Sequence, residues 1–257
     1  MRKIRFALSL IISIAGILSV PSTLLIMGFG TPSQFENTFL GEFKHKMEKL
    51  DSTEGKKIVF IGGSSLPFGL RSELIKKNIK GYEVVNFGLY AGLGTRVMMD
   101  ASLDGIKEGD IVILMPEQQE QTLSMYFNAS LMWQAIDGDP SLMFRLSEDE
   151  RKDMLKAFPS FATSKANYFI TGTAPNPQDI YKKSSFDENG DISSDIPVYN
   201  IMPSFYDENM PIRFSKDVIN VDFISYMNDF SKKVEGKGAT LYYHYSPMNK
   251  LAVQDPF

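Results

Sequence analysis

The chain of 257 residues has no cysteine, which excludes disulfide frameworks and zinc–thiolate sites and fits an exported chain that avoids thiols. Histidine is nearly absent as well. His45 and His244 are the only two, so imidazole acid–base or metal chemistry has few candidates. There is no excess of positive charge: 27 Lys and Arg stand against 31 Asp and Glu, a formal net charge of −4. A nucleic-acid partner, which needs a basic face, is therefore not expected. Tryptophan occurs once, as Trp133, beside Leu131 and Met132, and reads as packing. No internal repeat and no low-complexity tract is visible. What remains is the composition of a folded protein, 43% hydrophobic and 23% charged, long enough for one domain with a full core.

One long stretch also lacks charge entirely. After Arg2-Lys3-Ile4-Arg5 no charged residue appears from Phe6 to Gly30, and the next is Glu36. At a rise of about 1.5 Å per residue such a run exceeds a hydrocarbon core of about 30 Å. Residues 1–30 are expected to form an uncleaved, single-pass membrane anchor; the rival, a cleaved signal peptide, has a shorter apolar core. Cationic residues before the run keep the amino end cytoplasmic and place the bulk of the chain outside. Residues 31–55 read as a connector carrying a short helix, because Phe35, Phe39, Leu40, Phe43 and Met47 recur at helical spacing. His45, between Lys44 and Lys46, reads as a solvated position on that helix.

From Lys56 the pattern alternates between strand and helix. Strands are expected at Lys57–Ile61, Tyr82–Phe87 and Asp110–Met115, with helices at Ser72–Asn78 and Thr95–Ile106. Uninterrupted apolar strands separated by helices imply an α/β domain with a mainly parallel sheet, spanning 56–257. Gln118–Ala135 and Ser141–Phe158 look helical, the second opened by the capping box Ser147-x-x-Glu150. Residues 158–211, rich in Pro, Asn, Asp and Gly, read as an irregular insertion. A final helix at Asp217–Glu235 and a strand at Thr240–Tyr245 follow. Asp187-Glu-Asn-Gly-Asp191 and Asp207-Glu208 read as solvated turns, not cation sites, because a terminal bidentate glutamate is missing.

The stretch that organises this pattern is Lys56-Lys-Ile-Val-Phe-Ile-Gly-Gly-Ser-Ser-Leu-Pro-Phe-Gly69, a buried strand stopping in a small-residue turn with two hydroxyls. In an open α/β sheet such a corner lies at the carboxyl edge, where ligands bind. Gly63-Ser-Ser-Leu-Pro-Phe-Gly69 resembles the first sequence block of the SGNH/GDSL hydrolase superfamily, with Ser64 in place of its aspartate. Asn86-Phe-Gly88-Leu-Tyr-Ala-Gly92 is similar to the second block. Gly109–Gln119 occupies the place of the third, without that block's asparagine. Ser246-Pro-Met-Asn249 adds a likeness to the membrane-anchored, extracytoplasmic branch, which includes proteins of teichoic-acid D-alanyl transfer and exopolysaccharide acetylation.

The resemblance implies a three-layer α/β/α, flavodoxin-like sheet. It implies Ser65 as nucleophile, with oxyanion donors from the N–H groups of Ser65 and Gly92, then Gly88, and an amide from Gln118 or Gln119. Acyl transfer needs both an exposed nucleophilic hydroxyl and N–H groups aimed at the developing charge. The superfamily's base lies in an Asp-x-x-His block that this chain does not contain, so His244 is the one histidine available for that role. The chain is expected to be either C-terminally incomplete or a degenerate member. The implied activity is a serine esterase or acyltransferase on cell-envelope glycopolymer esters, with an acylated cell-wall or exopolysaccharide substrate, no cofactor and no metal. The alternative is a surface or polysaccharide-assembly protein that kept the fold without the chemistry.

Overall fold

The apolar run at the amino terminus forms one continuous helix, α1 (Arg2–Leu25), which passes without a break into a π-helical turn, Ile26–Gly30. The span Ile4–Gly30 has a mean hydropathy of 2.2 and is long and apolar enough to cross a membrane. The computed structural model of the protein describes residues 2–119, 121–177, 180–196 and 220–247. Residues 197–219, with Asp207-Glu208, and Met248-Asn249 lie outside them.

Past this helix the chain builds an α/β unit around a four-stranded parallel sheet. The strands are β1 (Lys57–Gly62), β2 (Glu83–Gly88), β3 (Ile111–Met115) and β4 (Thr240–Tyr243), in the spatial order β2-β1-β3-β4. Strand β1 is thus interior, and its last residue, Gly62, is in register with Gly88 on one side and Met115 on the other. Side chains alternate between the two faces, as the period of a strand requires. Val59, Ile61, Val85, Phe87, Val112 and Leu114 belong to the larger core. Ile58, Phe60 and Val84 form a smaller one with Leu66 of α3 (Ser65–Gly69), against which Ile75 of α4 (Ser72–Asn78) packs. The amino ends of β1 and β3 are tied by Lys57 and Asp110, fully buried and 2.9 Å apart.

Several elements differ from the sequence expectation. The segment 31–55 is no loose connector: α2 (Glu42–Ser52) buries Phe43, Met47 and Leu50 in the main core. An apolar residue at every third or fourth position makes a seam that is stable only when covered. The expected helix Gln118–Ala135 shortens to α6 (Ala129–Ala135), capped by the Asn128 side chain on the Leu131 N–H. Helix α7 (Glu148–Thr171) continues through Pro159 and ends at Gly172 in the left-handed conformation, so the irregular stretch starts later than 158. Its Ser147/Glu150 capping box is formed. Thr95–Ile106 becomes α5 (Thr95–Ser102) with a short 3-10 turn, and α8 (Val221–Gly236) precedes β4.

Candidate functional site

Ser65 stands at the first position of α3, directly after the turn that ends β1, with its side chain half-exposed. The turn is tight because two neighbours press on it. A Cβ at Gly62 would collide with the Met115 carbonyl, and one at Gly88 would collide with Leu66. Glycine at these two positions lets three strand ends converge on one corner. The Ser65 hydroxyl lies 3.2 Å from the Ser246 hydroxyl, three residues past β4. Ser246 is buried and donates to the carbonyls of Pro116 (3.1 Å) and Met115 (3.3 Å). When Ser246 spends its proton on those carbonyls, its oxygen accepts from Ser65 and fixes the orientation of the Ser65 hydroxyl. Neither a second hydroxyl nor a peptide carbonyl is basic enough to remove the serine proton, so this pair orients Ser65 without activating it.

The main-chain N–H of Ser65, expected to face a substrate oxygen, already has an acceptor. Glu117, two residues beyond β3, places Oε1 2.9 Å from it. The carboxylate fits only because residue 63 is glycine, since a Cβ there would overlap both oxygens. The second oxygen, Oε2, is buried with no hydrogen-bond partner among the described residues. The turn carrying Glu117 is closed by the Gln119 N–H and the Thr122 hydroxyl, both donating to its carbonyl. A carboxylate oxygen therefore takes the place that the sequence reading gives to a substrate oxygen.

The other expected site residues disperse. The Gly88 N–H, expected as the second donor, is engaged by the Asn86 side chain (3.1 Å). Gly92 lies in a 3-10 turn against the Tyr90 ring, and its N–H has no protein acceptor among the described residues. Gln118 is half-buried, and its amide oxygen has no hydrogen-bond partner among the described residues. His244 is exposed just past β4, and its Nδ1 lies 2.6 Å from the Tyr245 carbonyl and makes no bond to Ser65. The structure thus gathers Ser65, Ser246 and Glu117 and leaves His244 outside that cluster. The sequence reading includes Glu117 in the Gly109–Gln119 stretch and Ser246 in Ser246-Pro-Met-Asn249 but gives neither a role at the site. Only the Gly62–Met115 register shows that a carboxylate two residues past β3 lies alongside the β1 turn.

Behind the site a second polar cluster proves structural. The loop Asp187–Asp191, expected to be solvated, is folded inward. Asp191 accepts from the Ser72 N–H (2.6 Å), the Ser72 hydroxyl (3.0 Å) and Asn86 Nδ2 (2.7 Å). Lys46 of α2 is buried and donates to the carbonyls of Asn86 and Gly190, each at 3.0 Å. Its ammonium serves the loop oxygens as a bound cation would. Burial depresses the Lys46 pKa to about 8, partly offset by Glu42, Asp191 and Asp187, and burial likewise raises the Asp191 carboxyl. Ile192 closes the assembly by donating its N–H to the Pro67 carbonyl of α3 (2.7 Å). His45, expected to be free in solvent, lies 3.2 Å from the Glu188 carbonyl of this loop. Among the described residues no group of three or more His, Asp or Glu converges as a metal site.

Comparisons with protein-family models, with curated proteins and with solved structures give no match to this chain.

Proposed function

We propose that the protein is a membrane-anchored, extracytoplasmic serine ester hydrolase or acyltransferase of the SGNH/GDSL type, with a three-layer, flavodoxin-like α/β/α arrangement, acting on esters of cell-envelope glycopolymers. The observation that carries this reading is a half-exposed Ser65 hydroxyl at the carboxyl edge of an interior parallel strand, held in one orientation by Ser246. Edges of this kind are where α/β sheets bind ligands. The apolar helix before the domain, preceded by cationic residues, supports the anchored placement. In this reading Ser65 Oγ attacks the ester carbonyl, and the Gly92 N–H is the open donor for the resulting oxyanion. The Ser65 N–H joins it only once Glu117 withdraws. His244 must leave the Tyr245 carbonyl to act as base.

A second reading is favoured by one observation, the Glu117 carboxylate on the Ser65 N–H. Carboxylate and oxyanion repel one another, so a chain that keeps this contact binds its polymer without cleaving it. Labelling of the full chain with a fluorophosphonate separates the two. Under acyl transfer the wild type is labelled, Ser65→Ala is not, and Glu117→Ala is labelled faster than wild type. If neither wild type nor Glu117→Ala is labelled, the catalytic reading fails and the binding reading stands.

A further inference from the structure

An open cleft of about 580 Å³ lies between the first residues beyond the membrane helix and the α6–α7 pair. Small-molecule sites fall in the range of about 300–1,000 Å³. The buried side of the cleft is formed by Phe35 and Phe39, and Tyr90, Tyr168 and Tyr181 complete its aromatic lining. Tyr90 and Tyr181 stand open to solvent, 45% and 55% exposed, so they form a rim that a ligand can reach. The rings brace one another: Tyr168 meets Phe35 edge-on at 5.7 Å, and Tyr181 meets Phe39 edge-on at 6.3 Å.

Among the described residues no charged side chain lines the cleft. Its polar groups are neutral, from Thr38, Gln134 and Ser164. The Thr38 hydroxyl is committed to the Phe35 carbonyl (2.7 Å), whereas the Gln134 amide and the Ser164 hydroxyl make no hydrogen bond to protein among the described residues. The cleft also reaches toward the serine corner. Phe39 and Tyr181 pack on Phe68 of α3 at 5.4 and 5.6 Å, three residues from Ser65, and the Tyr90 ring rests against Gly92.

These features select a ligand class. A polyanionic chain calls for Arg or Lys in the lining, and among the described residues there is none. An acyl tail calls for closed aliphatic walls, but this cleft is open and rimmed by tyrosine hydroxyls. A neutral sugar satisfies both halves of the lining. Its C–H faces pack on aromatic rings, while its hydroxyls meet the free amide and hydroxyl groups. We propose that the cleft binds an uncharged glycan segment and holds a polymer with its ester directed toward Ser65. That last step rests on the acyl-transfer reading above, but glycan binding itself does not require Ser65 to react.

The test titrates the full chain in detergent micelles with short oligomers of glucose and of N-acetylglucosamine, with glycerol-phosphate oligomers and oligogalacturonate in parallel. Binding is read by calorimetry and by saturation-transfer NMR. The neutral oligomers are expected to bind and the charged ones not. Tyr90→Ala and Tyr181→Ala are each expected to weaken binding by about tenfold, with native folding checked by circular dichroism because Tyr181 also packs on Phe39 and Phe68. Ser65→Ala is expected to bind as wild type does. Absence of binding by the neutral oligomers, preference for phosphate or uronate chains, or unchanged affinity in the double tyrosine variant overturns the assignment. Glycan binding by a chain that fluorophosphonate does not label supports the cleft and refutes acyl transfer alone. Labelling without glycan binding does the reverse.

Discussion

At the scale of single residues, Lys46 shows how much a buried side chain can be asked to do. Its ammonium holds two carbonyls from segments far apart in sequence, Asn86 on β2 and Gly190 in the inward loop. Because its pKa falls to about 8 in the folded state against about 10.5 when exposed, the unfolded chain binds more protons between those values. The contribution of Lys46 to stability is therefore fully present above about pH 10.5 and is lost as pH falls through about 8. Denaturant melts across that window should show wild-type stability rising with pH, and Lys46→Met should lack that component of the slope. A slope unchanged in the variant would contradict the assignment. Little of this was visible in the sequence. Lys46 sits between His45 and Met47 on a helix whose apolar seam is plain, and nothing local marks a lysine as buried. Its partners lie 40 and 144 positions away. The roles of Glu117 and Ser246 are hidden for the same reason: each meets Ser65 only through strand register.

At the scale of elements, strand alternation and helix caps were legible, and partner-dependent helices were not. β1 to β3 were found within a residue or two, because apolar β-branched runs buried on both faces leave no other reading. The capping box of α7 was legible because both its bonds are local. Ser147→Ala should lower stability by about 1 kcal/mol, measured by chemical denaturation. The far end of α7 was obscured by Pro159, which breaks most helices. Here packing outweighs that cost, since Phe158, Phe161, Ala162 and Ala166 are all buried on either side of it. The same stretch carries Lys165, whose ammonium meets Asp137 at 2.7 Å and the Gly28 carbonyl at 2.9 Å. Asp137 in turn accepts from the Gln34 N–H (2.7 Å), the Ser33 hydroxyl (2.9 Å) and the Phe35 N–H (3.1 Å). Asp137→Ala strands a buried ammonium and is expected to cost about 3–5 kcal/mol, read from the same denaturation curves.

At the scale of the whole molecule, the apolar helix and the α/β unit form a continuous body. The π-helical turn Ile26–Gly30 carries Phe29 onto Phe158, stacked at 4.9 Å, and beside Trp133 at 6.0 Å. Gly28 is needed there because a Cβ would lie 2.5 Å from the Phe158 ring. A chain starting at residue 26 should therefore keep nearly the stability of the α/β unit. One starting at residue 36 loses the Phe29 packing and the Asp137 ligands, and should melt lower by about 10 °C in a scanning-calorimetry comparison. Equal melting temperatures would show that the junction contributes nothing. The sequence shows Thr31–Gly55 as a connector with a short amphipathic helix, and only the packing of its aromatic residues on α6 and α7 shows the junction. The distinction matters for what the apolar helix would do to the α/β unit if it crosses a bilayer. A domain on a leash sweeps a volume and samples many tilts; one bolted to its post keeps a single height and bearing above the lipid. Such a unit would search in two dimensions by drifting with the lipid. On the reading proposed above, the polymers within its reach would be those that grow or pass at that fixed altitude.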